Sequence, residues 1–171
     1  MQEQGAKSLI IDLRNNGGGI VDEAIEIADM IVDKDATTLI TIDKNKNEEV
    51  KKSSIAPTIN MPITLLVNGN TASASEILAG ILKDNNKAKI IGTTTYGKGV
   101  IQQLMTLKDG TGIKLTTNEY LTPNRNKINK IGIKPDEEIN LPDDAKNTYI
   151  VTEEQDTQLQ RAMQYLRELN L

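Results

Sequence analysis

Two apolar runs, each followed by a turn of small residues and an amphipathic helix, constrain the fold of this sequence most. Residues 8–13 form the first run, which leads through the glycine-rich residues 14–20 into a helical pattern at residues 21–32. Residues 63–67 form the second run, which leads through small polar residues into a helical pattern at residues 74–85. Branched apolar residues favour buried strands, and apolar residues three and four positions apart favour helices. Each segment therefore predicts a strand, a turn and a helix.

Further strands are predicted beside these two units. Branched residues predict strands at residues 37–42 and 87–92, and the runs 101–107 and 112–121 predict an antiparallel hairpin. The charged segment 43–54 is predicted to form a surface hairpin or excursion. Repeated strand–helix–strand units with an antiparallel addition predict a layered α/β fold.

The end of the sequence has the pattern of a closing helix. Apolar residues recur at helical spacing between residues 152 and 169, and Thr152 with Gln155 has the pattern of a capping box at its start. We therefore predict a core domain at residues 1–150 and a C-terminal amphipathic helix, within residues 151–171, that packs on this core.

Length and charge limit the partners of the chain. Its 171 residues suit one domain with a hydrophobic core. A net charge of −4 argues against a general phosphate-binding surface, and so against nucleic acid as a partner. No apolar run approaches the roughly 20 residues of a membrane span. No membrane contact is predicted for this chain.

The sequence contains no histidine and no cysteine. Their absence excludes, within this chain, a Ser-His-Asp triad, a Cys-His pair and the usual zinc sites built from these residues. A side-chain nucleophile would then be Ser or Thr, and its general base would be Lys, Asp or Glu. A lysine serves as a base where burial keeps its amine uncharged.

Ser73 is the hydroxyl best placed for chemistry. It lies at a predicted strand-to-helix turn, where free backbone N–H groups and the positive end of the helix dipole stabilise a developing oxyanion. The competing interpretation is structural, because Ser73 and Glu76 form the S-x-x-E pattern of a capping box, which marks ordinary helix starts.

Two glycine-containing turns are the other candidates. Residues 17–19 are three glycines after a strand, which let backbone N–H groups face an anion, although a turn without a ligand is the simpler interpretation. Lys98 lies between Gly97 and Gly99, where a lysine is usually a surface residue. If the chain is extended after Gly99, Gln102 shares a face with Lys98 and reaches its amine. An ordinary polar strand residue is the alternative for Gln102.

Together these segments resemble the carboxy-terminal processing peptidases, a family of serine peptidases with a Ser-Lys dyad. The resemblance covers about residues 4–140 and is carried by residues 9–20, 68–82, 92–102 and 130–136. Its most specific parts are the blocks Thr-Ala-Ser-Ala-Ser-Glu and Tyr-Gly-Lys-Gly at this separation.

The resemblance implies a role for each candidate residue. The nucleophile, the general base and the residue that supports the lysine would be Ser73, Lys98 and Gln102. The oxyanion hole would be formed by the backbone N–H of Ala74 and that of a glycine in the turn, Gly18 or Gly19. No cofactor and no metal is implied.

The resemblance also implies properties of the whole protein. We expect a fold related to crotonases and Clp peptidases, and an acyl-enzyme mechanism that cleaves protein or peptide substrates near their C-termini. The location would be extracytoplasmic, in the periplasm or cell envelope, and self-association is left open. Family members usually carry an export signal, a PDZ domain and earlier core elements, which do not precede Met1. Residues 1–150 are therefore expected to be a partial peptidase core of reduced activity.

Two other classes of protein fit the same residues. A crotonase-like acyl-CoA enzyme would use paired N–H groups at the same turns without needing Ser73 and Lys98 as a pair. A noncatalytic protein-binding module on this fold would need neither residue for binding its partner.

Overall fold

The computed structural model describes residues 2–146 and 151–169. The described strands are β1 (Leu9–Asp12), β2 (Thr37–Asp43), β3 (Glu48–Lys52), β4 (Ile63–Val67), β5 (Lys89–Gly92), β6 (Val100–Thr106), β7 (Gly112–Leu121) and β8 (Glu137–Glu138). The described α-helices are α1 (Val21–Asp29), α2 (Ala74–Asp84), α3 (Asp143–Lys146) and α4 (Thr157–Leu169), and a 3₁₀ turn spans Gln2–Gln4.

One sheet is parallel throughout, with the strand order β1-β4-β5-β8. All five residues of β4 are buried, as expected of an apolar strand that is covered on both faces. Strands β1 and β4 are aligned so that Leu9 pairs with Ile63 and Asp12 with Leu66. Because the two strands run in the same direction, the turns that follow them lie side by side.

Helix α2 occupies the centre of the main core. Every residue from Ala74 to Leu82 is buried, and the helix contacts α1, β2 and β5. Small residues such as Ala79 and Gly80 let neighbouring elements approach the faces of the helix that lack large apolar side chains. The N-terminus of α2, where Ser73 lies, is therefore held by packing on several sides.

Helix α4 covers the opposite face of the parallel sheet. Leu65 and Val67 belong to the main core, whereas Leu66 between them packs with Ile91 and with Ala162 of α4. Side chains alternate between the two faces of a strand, so this division separates the two sides of β4. A second sheet is antiparallel, with the order β3-β2-β7-β6, and lies against α2 through β2.

The structure confirms the predicted α/β class, both strand–turn–helix units and the hairpin of β6 and β7. The charged segment 43–54 does form a hairpin, since β3 pairs antiparallel with β2. Helix α1 ends at Asp29, three residues earlier than predicted, in a turn where the N–H groups of Ile31 and Val32 both donate to the carbonyl of Ala28.

The predicted start of the last helix is wrong. The N–H and hydroxyl of Thr152 do donate to Gln155, but in a turn that precedes the helix, which begins at Thr157. Asp156 caps it instead, because its carboxylate accepts the N–H of Leu159 at 2.9 Å. The proposed boundary between residues 150 and 151 stays a prediction, since residues 147–150 lie outside the described chain. None of the described helices is both long and apolar enough to cross a membrane.

Candidate active site

Ser73 lies at the junction of the turn after β4 and helix α2. Its φ is +57°, in a region that a residue with a Cβ adopts only at a cost of about 1–2 kcal/mol. Buried Thr71 holds this turn in place. Its hydroxyl donates to the carbonyl of Leu13 at 2.7 Å and accepts the N–H of Asn68 at 3.0 Å. Packing and hydrogen bonds thus hold the backbone of Ser73 in a strained conformation.

The glycine turn after β1 lies directly against Ser73. A Cβ on Gly18 would stand 2.5 Å from the carbonyl oxygen of Ala72, 2.8 Å from the nitrogen of Ala74 and 2.9 Å from the Cβ of Ser73. The φ of Gly18 is +91°, which also favours glycine. Only a residue without a side chain allows the two turns to approach this closely.

Asparagine side chains join the two turns. The side chain of Asn68 accepts the N–H of Asn15 at 3.0 Å and donates to the Asn15 side chain at 3.0 Å. The Asn70 amide donates to the same Asn15 oxygen at 2.9 Å, and the carbonyl of Asn16 accepts the N–H of Ala72 at 3.0 Å. These bonds fix the relative position of the glycine turn and the Ser73 turn.

Within the described chain, the backbone N–H groups of Ala74, the first residue of α2, and of Gly19, which follows Gly18 in the glycine turn, have no hydrogen-bond partner. The N–H of Gly18 is already used, because it donates to the side-chain oxygen of Asn16 at 2.9 Å. Unpaired N–H groups at a helix N-terminus and at an adjacent turn are suited to bind an anionic oxygen.

Lys98 lies between β5 and β6, and its backbone is held at both polar groups. Its N–H donates to Glu76 at 2.8 Å, and its carbonyl accepts the hydroxyl of buried Tyr120. Burial and the charge of Glu76 raise the pKa of the Tyr120 phenol above its ordinary value, which keeps this hydroxyl a donor. The Lys98 side chain is partly buried, and its amine forms no hydrogen bond or ion pair with the described residues.

Glu76 connects the Ser73 turn to the Lys98 loop. The residue is fully buried, and its carboxylate accepts the N–H groups of Ser73 at 3.0 Å, Gly97 at 2.7 Å and Lys98 at 2.8 Å. The hydroxyl of Thr95 donates to the same carboxylate. A buried carboxylate with this many donors is satisfied as an anion, and it fixes all the groups that donate to it.

The S-x-x-E pattern indicated only part of this arrangement. The predicted capping box is present, because the Ser73 side chain faces the backbone N–H of Glu76 and the Glu76 carboxylate accepts the N–H of Ser73, but the Ser73 hydroxyl forms no capping hydrogen bond. Sequence reasoning treated Glu76 as a cap alone. Its bonds to the loop of Gly97 and Lys98 join residues 21 and 22 positions apart, a relation that no local pattern shows.

The structure brings some of the predicted site residues together and leaves others apart. Gly18, Ala74 and Ser73 are in contact, and Glu76 links the Ser73 backbone to that of Lys98. No hydrogen bond joins the hydroxyl of Ser73 to the amine of Lys98.

Gln102 is exposed and does not contact the lysine amine through a hydrogen bond. Its side-chain amide instead lies 3.5 Å from the hydroxyl of Thr116 on β7. The expected support of Lys98 by Gln102 stays a prediction. Among the described residues there is no group of three or more Asp, Glu, His or Cys that could hold a metal ion.

Comparisons with known proteins identify the family of this chain. Residues 1–139 match peptidase family S41. A carboxyl-terminal-processing protease of a Picosynechococcus species is 42% identical over 166 residues, which are 97% of this chain and 39% of that protein. A carboxyl-terminal-processing protease of a Synechocystis species is 43% identical over 83% of this chain and 33% of that protein.

Solved structures give the same result. The photosystem II D1 C-terminal processing protease is 38% identical with a TM-score of 0.75, over 82% of this chain and 37% of that one. A putative S41 protease from Bacteroides fragilis shares the fold with a TM-score of 0.78 at 21% identity, over 98% of this chain and 46% of that one. This chain spans less than half of the length of each of these proteins. The predicted resemblance and fold class are confirmed, and the chain belongs to peptidase family S41.

Proposed function

We propose that this chain carries the catalytic groups of a serine peptidase, with Ser73 as nucleophile and Lys98 as general base. The observation that carries the proposal is the position of Ser73, whose uncommitted hydroxyl lies at the N-terminus of α2 beside the unpaired N–H of Ala74. Glu76 supports it further, because one buried carboxylate holds the backbones of both Ser73 and Lys98. The relatives of this chain that are named as proteases favour the same chemistry.

Peptide hydrolysis by these groups proceeds in two steps. The neutral amine of Lys98 takes the proton of the Ser73 hydroxyl, whose oxygen attacks the substrate carbonyl, and the resulting ammonium returns a proton to the leaving amine. Water then hydrolyses the acyl-enzyme with the same lysine as base. The Lys98 side chain has several rotatable bonds and no bond to the described residues, so its amine is free to turn toward Ser73.

The oxyanion of the tetrahedral intermediate would be bound by the N–H groups of Ala74 and Gly19. Both are unpaired, whereas the N–H of Gly18 is used by Asn16. Of the two glycines that the sequence suggested, we therefore assign the donor role to Gly19. Gly18 has a steric role, since its missing side chain lets the turn reach Ala74.

Gln102 remains our proposed support for the amine of Lys98. The role requires its amide to leave Thr116, and the separation of 3.5 Å indicates a weak contact that is easily exchanged. We further propose that the substrates are proteins cleaved near their C-termini, and that the protein works outside the cytoplasm. The names of the carboxyl-terminal-processing relatives support the first of these proposals.

A serine-reactive fluorophosphonate tests the proposal directly. We expect the complete natural protein to be labelled at Ser73, as located by mass spectrometry, and to hydrolyse a denatured protein substrate. The Ser73→Ala variant should lose both properties. Ser75→Ala is the matched control, because Ser75 lies two residues further along the same helix, and it should retain both.

The same experiment separates the alternatives. A noncatalytic binding module would show no labelling, and its affinity for a protein partner would survive Ser73→Ala and Lys98→Ala. A crotonase-like enzyme would turn over an acyl-CoA ester in both variants. Hydrolysis of the protein substrate that persists in Ser73→Ala would contradict the proposed mechanism.

A further inference from the structure

A cluster of polar side chains around Arg14 lies at the start of the glycine turn. The guanidinium Nε donates to both carboxylate oxygens of Asp12, at 3.0 and 3.1 Å, and Nη2 donates to Asp12 and Asp156, at 2.7 Å each. Nη1 donates to Asp156 at 2.8 Å and to the side-chain oxygen of Gln158 at 3.0 Å. All five N–H groups of Arg14 therefore have an acceptor.

This cluster is largely removed from solvent at its centre. The side chain of Arg14 is 13% exposed and that of Asp156 is 7% exposed, against 47% for Asp12. Burial disfavours the charged forms of Arg14 and Asp156, but their hydrogen bonds outweigh the effect of burial. The pKa of Arg14 is therefore raised and that of Asp156 lowered relative to their ordinary values. Charge-assisted bidentate bonds between buried partners fix orientation more strongly than exposed ion pairs do.

The cluster joins two parts of the chain that are distant in sequence. Asp156 and Gln158 stand at the start of α4, where Asp156 caps the helix and the Gln158 amide donates to the carbonyl of Ile139 at 2.7 Å. Arg14 lies in the turn two residues after β1 ends at Asp12, and Gly18 follows it by four residues. The guanidinium thus ties the N-terminus of α4 to the base of the glycine turn.

Apart from Arg14, a small set of hydrogen bonds and one steric contact hold the glycine turn. Gly17 and Gly19 are exposed, and a Cβ placed on either residue would meet no atom within 4 Å. The position of the turn depends on the Asn15–Asn68 and Asn16–Ala72 hydrogen bonds, on the contact at Gly18, and on the anchor at Arg14. Loss of one of these restraints is expected to move or loosen the N–H of Gly19.

We propose that Asp156 is a positioning residue of the active site, which acts through Arg14 to fix the glycine turn and with it the oxyanion donor of Gly19. The predicted effect on catalysis rests on the proposed function. The predicted effect on the position of the glycine turn rests only on the hydrogen bonds of Arg14 with Asp12, Asp156 and Gln158. The proposal assigns to the C-terminal helix an indirect part in catalysis, through Arg14 and the glycine turn.

Asp156→Asn is the variant that tests this proposal. Asparagine caps a helix as well as aspartate does, so the start of α4 is preserved while the charge and half of the bidentate pair are lost. Glu137→Gln is the matched control. It removes the charge and half of a second bidentate pair of α4, between Arg161 and Glu137 at 2.7 Å. Glu137 lies on β8, at the opposite edge of the sheet from β1.

Two measurements on the complete natural protein are expected to separate the variants. Asp156→Asn should lower kcat on a denatured protein substrate about tenfold with KM within about twofold, because a small displacement of an oxyanion donor affects the transition state more than substrate binding. Hydrogen–deuterium exchange at residues 15–18 should become faster. Glu137→Gln should change neither quantity, and Gln158→Met, which removes one neutral acceptor of Arg14, should act like Asp156→Asn to a smaller extent.

The possible failures are distinguishable. Unchanged exchange at residues 15–18 in both Asp156→Asn and Gln158→Met would overturn the proposed anchor. Faster exchange with unchanged kcat would overturn the catalytic consequence, as would an equal loss of kcat in Glu137→Gln, which would show a general effect of α4 docking. If the wild-type protein hydrolyses no substrate, the proposed peptidase function fails, while the exchange measurement still decides whether Asp156 holds the turn.

Discussion

The replacement of Gly18 by alanine gives the sharpest test of the site. It places a single methyl group against backbone atoms of the Ser73 turn, which can move only if the whole turn moves. The new Cβ would stand 2.5 Å from the carbonyl oxygen of Ala72 and 2.8 Å from the nitrogen of Ala74. Ordinary contacts of carbon atoms begin at about 3.5 Å, so the two turns must separate by roughly 1 Å. The φ of +91° adds a cost of about 1–2 kcal/mol for any residue with a Cβ.

The expected consequence is a large loss of turnover with a moderate loss of stability. A displacement of about 1 Å in a catalytic arrangement costs on the order of 10² in rate. We therefore expect Gly18→Ala to lower kcat about 10²-fold, which corresponds to about 2.7 kcal/mol of transition-state stabilisation. The melting temperature should fall by several degrees, since the strain of at least about 1 kcal/mol is not relieved in the folded state.

Gly17→Ala is the matched control for this experiment. A Cβ on Gly17 meets no atom within 4 Å, and its φ lies outside the region that favours glycine. We expect its kcat to stay within about threefold of the wild-type value, given the open space. The assay is steady-state hydrolysis of a denatured protein substrate, with thermal unfolding followed by circular dichroism. Equal kcat values for the two alanine variants would refute the argument that the approach of Gly18 to Ser73 assembles the site.

Three further predictions concern charged groups. Lys98→Arg should abolish turnover as fully as Lys98→Ala, because arginine stays protonated and cannot act as a base; measurable hydrolysis by the arginine variant would exclude Lys98 as the base. Glu76→Gln should destabilise the fold by about 2–4 kcal/mol in chemical denaturation, because an amide cannot accept from all four donors of this buried carboxylate, and a loss below about 0.5 kcal/mol would contradict this. The pKa of Asp156 is lowered from its ordinary value of 3.8, so its ionised form stabilises the fold above that pH and this contribution is lost as the pH falls through the lower folded-state pKa. The difference in melting temperature between wild type and Asp156→Asn should therefore be constant from pH 7 to about pH 5 and shrink below pH 3.8; a difference independent of pH would show that the carboxylate charge is not responsible.

The strands and helices were predictable because their signals are local. The apolar run at residues 63–67 becomes β4, and the helical spacing that follows it becomes α2, as the periodicity indicated. Steric limits on the backbone and the burial of apolar side chains act over a few residues, so the positions of strands and helices can be predicted from short stretches of sequence. The start of α4 was predicted incorrectly because two cap-like patterns lie close together, and Asp156 rather than Thr152 faces the first free N–H groups of the helix.

The candidate residues were also predictable, but the relations between them were not. The absence of histidine and cysteine, the small-residue turn at Ser73 and the lysine between two glycines were visible in the sequence. The sequence did not show that the N–H of Gly18 already donates to Asn16, which is the reason why we propose Gly19 as the donor. That distinction depends on which way a peptide group turns, and neighbouring glycines allow several orientations.

The sequence by itself therefore determined most of the described strands and helices, the family and the types of side chain available for chemistry. Tertiary structure alone decided that the carboxylate of Glu76 reaches the backbone of Lys98, and that Asp156 reaches Arg14 across 142 positions of the chain. Both contacts join a buried charge to partners from distant segments. Such contacts form only when the parallel strands and the helices on either face of the sheet bring those segments together, because an unpaired buried charge is too costly to leave in place.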